Sequence, residues 1–91
     1  MYFKINYSGT SEEGFLRLRS IIKSARGTMS GGNIAGSFRI PYLFGELKGS
    51  YFLHSDILDV YISTYPVLVY RRRIIKLFEK INRKKTVLKL F

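Results

Sequence analysis

Residues 34–63 read IAGSFRIPYLFGELKGSYFLHSDILDVYIS, and three alternations run through them. Ile34, Gly36, Phe38 and Ile40 oppose Ala35, Ser37 and Arg39. Leu47, Gly49, Tyr51 and Leu53 oppose Glu46, Lys48, Ser50 and Phe52, and Leu58, Val60 and Ile62 oppose Asp59, Tyr61 and Ser63. A period of two places successive side chains on opposite faces, so each run predicts a strand with one buried face. The separators PYLFG (41–45) and HSD (54–56) are hairpin-sized, which joins the three runs into an antiparallel meander. Glycines at 36, 45 and 49 predict bulges or bends, hence a curved sheet.

Outward from this block the period changes twice. Tyr2 to Tyr7 alternates and predicts another strand. Thr10 followed by Glu13 has the capping-box pattern, and Phe15, Leu18, Ile21, Ile22 and Ala25 recur at helical spacing. A helix is expected over 11–26, with Gly27 as its C′ stop and GTMSGGN (27–33) as a loop. Beyond the meander, Pro66 suits the first turn of a second helix. In that helix Val67, Tyr70, Ile74, Leu77, Phe78 and Ile81 fall on one side, and Arg72, Lys76, Glu79 and Arg83 on the other. The last residues, TVLKLF (86–91), leave the helical phase and read as a short edge strand or a frayed end. The predicted fold is a single α+β domain over 1–91, two-layered and ordered β-α-β-β-β-α. Its sheet has four to five mostly antiparallel strands, with both helices on one face.

Composition narrows the function classes. The chain has 91 residues, 46% of them apolar, enough to fill one core. With no cysteine, disulfides, thiolate metal sites and cysteine nucleophiles are excluded. No apolar run approaches a bilayer span and the N-terminal residues have no signal-like apolar region, so a cytoplasmic protein without an integral membrane segment is expected. His54 is the only histidine, which rules out a two-histidine metal site within the chain. An acid–base role for it would need an orienting carboxylate, and Asp56 and Asp59 are its near neighbours. Glu12 and Glu13 are accounted for by the positive end of the first helix. Gly31-Gly32-Asn33-Ile34-Ala35-Gly36 opens a strand and not a helix, so it does not make a phosphate cradle. No catalytic residue, cofactor or metal is expected, and the protein reads as a non-enzyme.

One local pattern bears on nucleic acid. Lys48-Gly49-Ser50-Tyr51-Phe52-Leu53 is similar to the RNP1 octapeptide of RNA-recognition-motif proteins at Lys48, Gly49 and Phe52. It departs from that octapeptide at Ser50, Tyr51 and Ser55, and the strand expected over 57–65 departs from the family's chain order. No membership follows from it.

Charge is the strongest functional signal. Residues 1–70 hold seven basic and five acidic side chains, whereas residues 71–91 hold nine basic and one acidic. A solvated helix face intersperses acids with bases, and here Glu79 is the only acid. The imbalance points to an anionic partner, nucleic acid first, with Arg71, Arg72, Arg73, Lys76, Lys80, Arg83, Lys84 and Lys85 as the contact set. Phe52, Tyr61 and Tyr65 would add base stacking if they lie on an open sheet face. An anionic membrane surface is the neighbouring class, and a buried stripe of Ile74, Leu77, Phe78 and Ile81 would exclude insertion of the helix itself. Two alternatives stand beside these. One is a carrier of small apolar ligands with Phe38, Leu47, Tyr51 and Ile62 as cavity walls, and the other is a structural homodimer formed through the open sheet face.

Overall fold

The computed structural model describes residues 1–65 and 69–82. Five strands form one antiparallel sheet: β1 (Tyr2–Asn6), β2 (Thr28–Gly31), β3 (Ala35–Tyr42), β4 (Gly45–His54) and β5 (Ile57–Thr64). Their spatial order is β1-β5-β4-β3-β2, so β2 to β5 are a meander and β1 pairs the far edge of β5. Helix α1 (Ser11–Ser24) carries the chain from the β1 edge to the β2 edge. Helix α2 (Arg71–Glu79) follows β5 and tightens into a 3-10 turn at Lys80–Asn82. The result is a two-layer α+β fold with both helices on one face of an open sheet.

The alternation decides which face is covered. Phe3, Ile5, Phe38, Ile40, Leu47, Tyr51, Leu53, Leu58, Val60 and Ile62 point to one side and are buried there. Leu18, Ile21 and Ile22 of α1 and Ile74 and Phe78 of α2 meet them, with Ile81 from the 3-10 turn. The Phe78 ring packs between Phe38 and Phe3, with centroids 5.2 and 5.9 Å away. The register of β4 against β5 shifts between Lys48 and Gly49, the bulge expected at a glycine. A Cβ at Gly49 would collide with the Tyr61 carbonyl oxygen and lie 2.9 Å from the Phe38 ring.

The capping box forms as expected: the Glu13 amide donates to Thr10 Oγ1 at 3.2 Å, and the Thr10 amide to Glu13 Oε1 at 2.9 Å. The other end of α1 differs from expectation. Arg26 takes the left-handed C′ position at φ 65°, and Gly27 follows at C″. Amides of Arg26 and Gly27 donate to the carbonyls of Lys23 and Ile22 at 2.9 and 2.8 Å, a Schellman closure. Gly27 is required for a different reason, since a Cβ there would lie 2.7 Å from the Arg39 carbonyl oxygen.

Two further expectations are corrected. Residues 28–31 are a strand where a loop was expected. Its TMSG sequence shows no buried alternation, and it joins the sheet through its ladder to β3, Thr28 opposite Arg39 and Gly31 opposite Gly36. Helix α2 begins at Arg71, later than the apolar phase implies. Tyr70 is its N-cap, with extended backbone and its ring in solvent and not in the apolar stripe. Pro66, Val67 and the tail at 86–91 lie outside the described residues.

Candidate functional site

Three consecutive arginines cannot share one helix face, because successive side chains project 100° apart. Only the side carrying Ile74 and Phe78 meets the core, so Arg71, Arg72 and Arg73 all remain exposed. Lys76 and Lys80 continue the exposed charge along the helix and into the 3-10 turn. The five divide around the helix: Arg73, Lys76 and Lys80 line one groove and Arg71, Arg72 and Lys76 a second hollow, while Arg83, Lys84 and Lys85 lie outside the described residues.

The position of the arginines is electrostatically unfavourable. They occupy the first turn of α2, at the positive end of its dipole, with no acid in that turn and no side-chain cap on Tyr70. Among the described residues, ion pairs join Arg39 to Glu46 (3.5 Å) and Lys48 to Glu46 (3.8 Å), His54 Nε2 lies 2.9 Å from the Asp59 carboxylate, and none of these involves α2. A groove of about 520 Å³ runs beside the helix, lined by Arg73, Lys76, Leu77, Glu79 and Lys80 together with Tyr42 of β3, so its three cations outnumber one acid. Burial raises the pKa of the Tyr42 phenol, against the opposing pull of Arg73.

Tyr42 is the last residue of β3, and the chain turns through only Leu43 and Phe44 before Gly45 pairs back to Tyr42. Gly45 supplies the positive φ of 140° that the reversal uses. Leu43 is 86% exposed and Phe44 72%, so the hairpin ends in two bare apolar side chains beside the basic groove. This feature was missed in sequence, where PYLFG is read only as a separator. Its available signal is a tight turn lacking the Gly, Asn or Asp that turns favour at their centre.

The helix-free face of the sheet holds a second cluster. Asp59 is buried, its Oδ2 2.9 Å from His54 Nε2 and its Oδ1 accepting a 2.7 Å hydrogen bond from the Tyr2 hydroxyl. Burial pushes the Asp59 carboxyl up, but the hydrogen bonds from Tyr2 and His54 and the charge of Lys4 outweigh it and hold the pKa below the usual range. The same hydrogen bond, with burial and the carboxylate charge, pushes Tyr2 up to about 12. His54 therefore has the orienting carboxylate that acid–base work needs, yet among the described residues no hydroxyl is hydrogen-bonded to its ring as a nucleophile. The cluster links β1, β5 and β4. Asp56, by contrast, stays in the hairpin turn, its Oδ1 3.3 Å from the Gly9 amide.

Phe52 and Tyr61 do lie on this open face, Tyr61 stacked 4.8 Å from Tyr2. The face otherwise mixes hydroxyls and charge, with Thr28, Ser30, Ser37 and Ser63 lining a hollow together with Arg39 and Lys48, both paired to Glu46. It is on the opposite side of the sheet from α2, so one nucleic-acid strand does not meet both the stacking rings and the basic helix without crossing an edge. Of the residues in the RNP1-like stretch, Tyr51 is core and only Phe52 offers an exposed ring. Among the described residues no group of three metal-ligating side chains gathers, and no helix is long and apolar enough to cross a membrane. No family model, curated protein or solved structure matches this chain.

Proposed function

We propose that this protein is a small cytoplasmic, non-enzymatic binding module that holds a phosphate-bearing polyanion against the exposed face of α2, nucleic acid being the form to test first. One observation carries the reading: Arg71, Arg72 and Arg73 stand at the positive end of a helix with no first-turn acid and, among the described residues, no paired carboxylate. Solubility alone gives no reason to place three cations where the dipole repels them, whereas an incoming phosphate relieves that repulsion. Of the stripe, Ile74, Phe78 and Ile81 are buried and Leu77 is half-buried, which supports docking over insertion of the helix itself.

The alternatives have less support. Phe38, Leu47, Tyr51 and Ile62 are each no more than 5% exposed within a packed core, which argues against a carrier cavity. The apolar part of the open sheet face holds Tyr2, Phe52 and Tyr61, with Ala35 opposite Phe52, among polar neighbours, a narrow stripe for a homodimer.

Fluorescence-anisotropy titration of labelled single-stranded RNA and duplex DNA tests the reading. Affinity is expected to fall by orders of magnitude between about 50 and about 200 mM salt, as counterion release requires. Replacing Arg72 and Lys76 with Ala is expected to weaken binding to RNA and DNA of any sequence. Salt-independent binding, or an unaffected double variant, would remove α2 from the site.

A further inference from the structure

We infer that the Leu43–Phe44 hairpin tip and the basic groove beside it form one membrane-docking surface, the tip entering the interface of an anionic bilayer while α2 meets the lipid phosphates. The inference rests on reading α2 as an anion-binding face and narrows the source of the phosphates to lipid headgroups.

Turn chemistry does not explain the tip. Two-residue hairpin loops favour Asn, Asp and Gly, which tolerate or stabilise the reversal, and Gly45 already provides the positive φ. Leu43 is the most exposed large apolar side chain among the described residues, and Phe44, 72% exposed, is exceeded otherwise only by Tyr70. Scattered apolar residues on a surface need no explanation, but these two are adjacent and lie at the end of a projecting hairpin. Folding therefore gains little from them.

Their neighbours select the partner. Tyr42, directly before the tip, faces Arg73, Lys76 and Lys80 across the groove, so apolar tip and cations are presented together. A nucleic acid in the groove has a use for the Phe44 ring, on which a base stacks, but none for the aliphatic Leu43 held beside it in solvent. An acidic bilayer uses both parts: its surface potential attracts the cations, and its interface accepts apolar side chains a few ångströms deep. The buried stripe of α2 does not count against this mode, because the hairpin and not the helix enters the lipid.

The protein contains no Trp, so Phe44→Trp gives a single reporter at the tip. Its emission is expected to shift to the blue with vesicles of phosphatidylcholine containing phosphatidylglycerol, and to stay unshifted with phosphatidylcholine alone. In flotation assays with the same vesicles, Leu43→Ser combined with Phe44→Ser is expected to lower binding at least about tenfold. Arg73→Ala and Lys76→Ala are each expected to lower it about fivefold. Circular dichroism of the tip variant should match the wild type, since neither side chain is in the core. Vesicle binding that depends on the cations but not the tip would overturn insertion while leaving the anion-binding reading intact. Binding of RNA or DNA without vesicle binding would do the same in favour of nucleic acid. Absence of binding to vesicles and nucleic acid alike would overturn both.

Discussion

Arg26 is a non-glycine residue holding a left-handed conformation, at φ 65°, where the side chain of an L-residue crowds its own backbone. Arg26→Gly is expected to stabilise the protein by about 0.5 kcal/mol, the relief of strain being partly offset by the freedom glycine gives the unfolded chain. A chemical-denaturation midpoint checks it. Gly49 is the opposite case. Its missing Cβ is filled space, so Gly49→Ala is expected to cost about 2 kcal/mol as β4 moves away from the Tyr61 carbonyl and the Phe38 ring. Asp59 supplies a pH-dependent term. Because its folded pKa is held below the unfolded value of about 3.9, its contribution is full above that value and is lost as pH falls through the folded one. Melting temperatures of wild type and Asp59→Asn should differ most near neutrality and converge in acid; a gap unchanged by pH would mean that the Asp59 charge contributes nothing.

At the scale of elements, α1 and α2 contrast. The first obeys the local rules except at Arg26: capping box, acids in the first turn, a basic residue in the last, and a C-terminus closed through that left-handed residue. The second violates them, with Arg71, Arg72 and Arg73 in the first turn, no side-chain cap and nine residues of length. Conflict of this kind is expected where function outweighs stability. Arg72→Glu should therefore stabilise the free protein by about 0.5 kcal/mol, through a favourable interaction with the dipole, while weakening polyanion binding. Thermal melts and anisotropy on the same variant separate the two effects. A variant with unchanged stability and unchanged binding would return the arginines to a solvating role.

For the molecule as a whole, the sheet divides the surface into two chemistries. The helix side carries the cations of α2 and the tip of the β3–β4 hairpin, and the open side carries the hydroxyl row with Arg39 and Lys48 beside it, the Tyr2–Tyr61 stack and the Asp59 cluster. Most of the architecture was legible in sequence: alternation assigned β1, β3, β4 and β5 to their faces, and the capping box located the start of α1. Local chemistry suffices there, because which side of a strand or helix is apolar depends on the spacing of the residues within it. Strand β2 was not legible, since TMSG buries little and is held by a backbone ladder that only a partner strand supplies. The start of α2 was not legible either, because Val67 and Tyr70 continue an apolar phase and only the finite core, filled by Ile74, Phe78 and Ile81, leaves Tyr70 in solvent. The basic contact set could be read from charge alone. That Arg71, Arg72 and Arg73 stand at the unfavourable end of a helix, and that the basic groove lies beside a bare Leu43–Phe44 tip and across the sheet from the exposed aromatics, was decided only by tertiary structure, which brings together groups that no sequence spacing relates.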